Sequence, residues 1–143
     1  MTNLDMPFKD EAAVLVVDDE PDILWAIRDC LVSMNITCYC AGDAMSALQM
    51  MAGHPDIRIL LSDVRMPDRD GPWLISKIGG MLRGSSKPVA FVLMSDAPFP
   101  PYESLSDGVR NAGLLPKPFS SKELKDALLI AWETLQDGNG RGI

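Results

Sequence analysis

The chain has 143 residues, 47% hydrophobic and 23% charged, the size and balance of one globular domain with a substantial core. Its formal net charge of -7 argues against direct nucleic-acid binding, which needs a basic face to displace counterions. No apolar stretch approaches the roughly 20 residues of a membrane span, and residues 1–10 lack the apolar region of a signal peptide, so a cytoplasmic protein without membrane contact is expected.

In chain order, Val14-Leu15-Val16-Val17 is a short aliphatic run that stops on Asp18-Asp19-Glu20, and such a run reads as a buried strand of a parallel sheet. Pro21 suits the first turn of a helix in which Ile23, Ala26, Ile27, Cys30, Leu31 and Met34 recur at the spacing of one buried face. Trp25 falls on the other side of that wheel, near Arg28 and Val32. Residues 36–41 predict a second strand. Cys38 and Cys40 point to the same side of it, which is poor disulfide geometry, and Cys30 takes a helical core position, so all three read as reduced structural thiols. Gly42-Asp43 turns and caps a second helix bearing Ala44, Ala47, Leu48 and Met51, which Gly53-His54-Pro55 ends.

Ile59-Leu60-Leu61-Ser62 is the next aliphatic run and stops on Asp63. A loop rich in Pro, Asp and Gly follows over residues 66–71, then a helix from about Pro72 carrying Trp73, Leu74, Ile75 and Ile78. Residues 88–94 form a fourth strand closing on Ser95-Asp96. Ala97-Pro98-Phe99-Pro100-Pro101 cannot sit inside a helix, so a fourth helix is expected only from near Pro101, with Tyr102, Leu105 and Val109 facing inward. Leu114-Leu115 reads as a very short fifth strand closing on Pro116-Lys117-Pro118. Ser120-x-x-Glu123 is a capping box for a last helix with Leu124, Ala127, Leu128, Ala131 and Leu135 on one stripe. Leu129 and Ile130 flank that stripe and could support a homodimer. Residues 1–11 read as an N-terminal extension, 12–136 as one domain, and 137–143 as a flexible tail.

Strict alternation of strand and helix calls for a parallel sheet covered on both faces. Asp18, Asp19 and Asp63 then emerge at strand C-terminal ends, where open α/β sheets bind their ligands. Carboxylates ~4 Å apart repel by roughly 4 kcal/mol per pair at an effective dielectric of ~20. The trio therefore asks for a cation.

Together these residues resemble the receiver domains of two-component response regulators, the CheY-like superfamily, from about Val14 to Leu135. The resemblance rests on Val16-Val17-Asp18-Asp19-Glu20, Leu61-Ser62-Asp63 with Met66-Pro67 and Asp70-Gly71, Ser95 after the fourth strand, and Lys117-Pro118-Phe119 after the fifth. It implies a doubly wound (βα)5 fold, a five-stranded parallel sheet in the flavodoxin-like order 2-1-3-4-5 with helices on both faces. It implies Asp63 as phospho-acceptor, with the phosphoryl group coming from a histidine kinase or histidine phosphotransfer protein. By the same resemblance Asp18, Asp19, Asp63 and the backbone carbonyl of Arg65 hold Mg²⁺, for which Mn²⁺ can substitute. Ser95 takes a phosphoryl oxygen, Lys117 pairs with the phosphoaspartate, and the Lys117–Pro118 bond is cis. Such a domain signals by conformational change and protein contact, and catalyses at most its own phosphotransfer and dephosphorylation.

The chemistry is consistent with these residue types. A carboxylate attacks phosphorus only when its charge and that of the phosphoryl oxygens are neutralised. Mg²⁺ favours one or two carboxylates plus waters and phosphate, leaving room beside Asp63. Two positions depart from the family pattern and are read as modulatory: Leu114 stands where the family usually has an aromatic, and Asp96 where it usually has a small residue. Trp25, exposed beside Arg28, and Phe119 are read as the docking surface for the phosphodonor. The alternative reading is an unphosphorylated pseudo-receiver acting as a protein-interaction module. A haloacid-dehalogenase-type phosphohydrolase would need an Asp-x-Asp pair after the first strand, and a flavodoxin a hydroxyl- and glycine-rich phosphate cradle there; neither is present.

Overall fold

The computed structural model describes residues 6–8, 10–96 and 108–141. Its elements are β1 (Ala13–Val17), α1 (Pro21–Ser33), β2 (Cys38–Ala41), α2 (Ala44–Gly53), β3 (Ile57–Asp63), α3 (Gly71–Met81), β4 (Val89–Ser95), β5 (Val109–Pro116) and α4 (Ser121–Arg141). The five strands form one parallel sheet in the order β2-β1-β3-β4-β5, as the sequence implies. Alternation along each strand sends side chains to two separate cores. Val14, Val16, Ile59, Leu61, Val92 and Met94 pack with α1 and α4 on one face. Leu15, Val17, Leu60, Phe91 and Leu93 pack with α2 and α3 on the other. The central strands are buried on both sides, which is why they read as unbroken aliphatic runs.

Three of the four described helices, α2, α3 and α4, start where a polar side chain meets a free N–H group, whereas α1 starts at Glu20 and Pro21 without a side-chain cap. Asp43 accepts from the Ser46 N–H at 2.7 Å, and Asp70 from the Trp73 N–H at 2.9 Å. The capping box of α4 is complete: the Glu123 N–H donates to Ser120 Oγ at 3.1 Å and the Ser120 N–H to Glu123 Oε1 at 2.8 Å. Along α1, Ile27 and Leu31 are buried and Cys30 and Met34 half-buried, but Ala26 is exposed, contrary to the expected stripe. Ala26 lines a groove together with Ile23, Lys117 and Phe119. All three cysteines are free.

The fifth strand differs most from expectation. It runs eight residues, not two, and Val109 opens it opposite Val89 instead of lying on a helix. The register slips between Phe91, opposite Asn111, and Leu93, opposite Leu114, so β5 carries one extra residue. Gly113 takes φ 119° there, and its N–H donates to the Asn111 side chain at 2.9 Å. A second slip separates Ala13, opposite Ile57, from Val14, opposite Ile59, making Arg58 the extra residue of β3. The proline-rich loop and the expected fourth helix with Tyr102 and Leu105 lie outside the described residues.

The described parts of both terminal segments also join the fold. Met6 and Phe8, in the segment read as an extension, are 2% and 0% exposed and belong to the α1/α4 core. The Phe8 ring lies 5.5 Å from that of Trp132. Helical backbone continues to Arg141, into the segment read as a tail from Asp137. Of the residues proposed to flank a dimer face, Leu129 is half-buried and Ile130 51% exposed. Among the described residues no helix is long and apolar enough to cross a membrane.

Candidate functional site

Parallel strands all end at one edge of the sheet, and this edge gathers the residues singled out by sequence. Asp18 follows β1, Asp63 is the last residue of β3, Ser95 the last of β4, and Lys117 follows β5. One carboxylate oxygen each from Asp18, Asp19 and Asp63 lie within 4.8 Å of one another. Asp18 is fully buried, Asp63 is 9% exposed, and Asp19 faces solvent. Asp18 is held at both oxygens: Oδ1 accepts from the Glu20 N–H at 3.0 Å and Oδ2 from Lys117 Nζ at 2.9 Å. The same ammonium lies 3.5 Å from Asp63 Oδ1.

The backbone fixes these side chains. The Lys117 N–H donates to the Ser95 carbonyl at 2.7 Å, tying the end of β5 to the end of β4. The Val64 N–H donates to the Met94 carbonyl, and the Gly71 N–H to the Val64 carbonyl, both at 2.9 Å. Gly71 brings the start of α3 so close that a Cβ there would lie 2.6 Å from the Asp63 carbonyl oxygen. Only glycine fits without a shift. Its role went unseen in the sequence, where Asp70-Gly71 reads as loop punctuation; the turn after a strand-end acid was the available signal. The Lys117–Pro118 peptide bond is cis.

One ammonium faces three carboxylates, and the titration of the site reflects it. Burial first, then the charge of Asp18, pushes the Asp63 carboxyl from its usual 3.8 up to about 6, with Lys117 opposing and Asp19 adding a little. Burial alone would pull Lys117 down. Its hydrogen bond to Asp18 and the charges of Asp18 and Asp63 outweigh that and hold it above the usual lysine value. A set of hard carboxylate oxygens, over-charged by its own lysine count, fits a divalent cation such as Mg²⁺.

Beside the crevice lies a groove of about 450 Å³ lined by Glu20, Ile23, Ala26, Asp96, Lys117 and Phe119 among others. Phe119 is half-buried and Asp96 exposed at its edge. Trp25 is 56% exposed with the Arg28 guanidinium 5.5 Å from its ring centroid, yet it is not part of the groove lining. Arg65 is exposed just past β3. Leu114 is 41% exposed on β5, away from the carboxylates along the strand.

Residues 14–129 match the family model described as response regulator receiver domain. The sensor histidine kinase TmoS of Ectopseudomonas mendocina is 33% identical over 116 residues, 81% of this chain and 12% of that protein. The sensor histidine kinase RcsC of Salmonella typhi is 32% identical over 127 residues, 89% of this chain and 13% of its own length. The chain thus spans about an eighth of these curated relatives. Among solved structures, a putative two-component system response regulator/GGDEF domain protein superposes with a TM-score of 0.75 at 25% identity, covering 94% of this chain and 53% of that one. The chemotaxis protein CheY4 of Vibrio cholerae shares the fold, with a TM-score of 0.70 at 22% identity over 84% of this chain and 98% of that one. The acidic crevice at the strand ends is therefore set in a known frame, and the chain belongs to the response regulator receiver domain family of two-component systems.

Proposed function

We propose that the chain accepts a phosphoryl group on Asp63 from the phosphohistidine of a histidine kinase or histidine phosphotransfer protein, in a Mg²⁺-dependent reaction, and passes the signal on by protein contact. The observation that carries this reading is the placement of the Asp63 carboxylate within 3.5 Å of Lys117, which also binds Asp18. An Asp63 carboxylate oxygen attacks phosphorus, the O–P bond forms as the P–N bond to the donor imidazole breaks, and the imidazole nitrogen leaves with the bonding pair. Bound Mg²⁺, held by Asp18, Asp19, Asp63 and the Arg65 carbonyl, would supply positive charge to the transferring oxygens. Lys117 covers a further share of that charge, and the Ser95 hydroxyl donates to a phosphoryl oxygen.

The product adds up to about two negative charges at one point. Lys117 then has a stronger partner than Asp18, and Ser95 is drawn to the same charge, so the loops after β4 and β5 shift with them. The groove with Phe119, together with Trp25 on α1, receives the donor. Asp96 and Leu114 tune the switch from its edge and from β5.

Incubation with Mg²⁺ and a small-molecule phosphodonor tests this reading. The expected product is an acid-stable, base-labile phosphoryl group that is absent in Asp63→Asn. A wild-type chain that stays unmodified would leave the pseudo-receiver reading in its place.

A further inference from the structure

The opposite edge of the sheet holds a second polar site, built from residues that the crevice does not use. A cavity of about 550 Å³ opens there, lined by Arg58, Arg110, Ser85, Ser86 and Trp132, with Glu11 and Gln136 also in its wall. Arg110 is paired in register with Ala90 and Ala90 with Ile59, so the two arginines approach from β3 and β5 across the start of β4. Arg58 is the extra residue at the irregularity of β3. Arg58 lies five positions before Asp63 on the same strand, placing the cavity about 17 Å from the acidic crevice at ~3.3 Å per residue.

Among the described residues neither guanidinium has a counter-ion. Arg58 Nε donates to the Pro88 carbonyl at 3.0 Å, which anchors the planar group and leaves its two terminal nitrogens for another acceptor. Burial pulls Arg58 below the usual arginine value. Arg110 Nε is buried with no hydrogen-bond partner among the described residues. Among those residues neither guanidinium forms an ion pair, although exposed Glu11 shares the wall. Ser85 Oγ accepts from the Lys87 N–H at 3.0 Å, so its own proton remains available to donate. An orphaned, charged donor under cover is costly, and an acceptor in the cavity would relieve it.

We propose that this cavity binds a phosphate dianion, either free phosphate or the phosphoryl group of a small metabolite. A carboxylate has two coplanar oxygens and satisfies one arginine fork. Phosphate has enough oxygens to meet two forks from different sides and still accept from serine hydroxyls. The volume lies within the range of roughly 300–1,000 Å³ for small-molecule sites, well beyond a bare anion, and Trp132 offers a flat apolar wall for the body of a larger ligand. Glu11, being exposed, repels an anion only weakly through water.

The test is a ¹⁵N NMR titration of the whole chain in phosphate-free buffer with a chelator, using inorganic phosphate, adenosine 5′-monophosphate and succinate in separate arms. Saturable shifts are expected at the Ser85 and Ser86 amides and at the Arg58 and Arg110 Nε–H signals, with no response to succinate. Tighter binding of the nucleotide than of phosphate would assign a phosphorylated metabolite; equal binding would assign free phosphate. Arg58→Gln and Arg110→Gln should each weaken binding by about tenfold or more, and Arg110→Lys by less, since it keeps the charge and loses the fork. If Arg58→Gln unfolds for want of its bond to Pro88, the Arg110 pair decides alone. No saturable shift up to ~10 mM, affinity unchanged in Arg110→Gln, or succinate binding as well as phosphate would overturn the proposal.

Discussion

Asp63 is where the residue scale is under most tension. Its carboxyl sits at about 6 against a usual 3.8, so the folded state holds the proton more tightly than the unfolded chain does. The ionised side chain therefore costs folding free energy: almost nothing below about pH 4, growing through the window from 4 to 6, and full above it. Two units at 1.36 kcal/mol each put that cost on the order of 2–3 kcal/mol. Asp63→Asn should accordingly stabilise the metal-free protein at pH 7 and do little at pH 4, as read by urea denaturation at both; an equal gain at the two would contradict the assignment. Gly71 is the second sensitive position. Gly71→Ala must push α3 or β3 aside and is expected to cost about 1–3 kcal/mol and to slow phosphoryl acceptance. Gly80→Ala, in open space on the same helix, should instead stabilise by up to about 1 kcal/mol. Thermal melts of the two variants, with phosphorylation rates, check the contrast.

At the scale of elements, α1 presents Trp25 and Arg28 outward, while the turn that precedes it joins it to the acidic crevice, where the Glu20 N–H donates to Asp18. Trp25→Ala should lower phosphoryl transfer from a cognate protein donor and spare transfer from a small molecule, since only the former needs the helix surface. Equal loss from both donors in a transfer assay would remove α1 from the docking surface. Most elements were legible in the sequence because helix and strand spacing, caps and strand-end acids all agreed, as at Asp43 and the Ser120–Glu123 box. The start of β5 was not. The extra residue near Gly113 breaks the two-residue alternation by which a strand is recognised, so Val109 reads as helical from the sequence. In the site, Asp18, Asp19, Asp63, Ser95 and Lys117 stood out as strand-end residues, whereas the hydrogen bond from Lys117 to Asp18 did not: it spans 99 residues of chain, a contact no local pattern encodes.

For the molecule as a whole, the surprise is the reach of the N-terminal segment. Met6-Pro7-Phe8 is too short for a periodic signal, and Phe8 packs against Trp132, near the other end of the chain. Phe8 is fully buried, so Phe8→Ala should destabilise the fold by about 3–5 kcal/mol and lower the midpoint of a thermal scan by many degrees. A shift of only a degree or two would mean that the segment is dispensable. The Phe8–Trp132 contact has an optical consequence as well. The three tryptophans sit in unlike surroundings: Trp25 faces water, Trp73 lies 5.1 Å from the Arg69 guanidinium and 5.5 Å from the Lys77 ammonium, and Trp132 is wedged against a phenyl ring. The emission of Trp132 thus reports on the seam between the first and last parts of the fold, and a red shift of that component would mark the seam's opening.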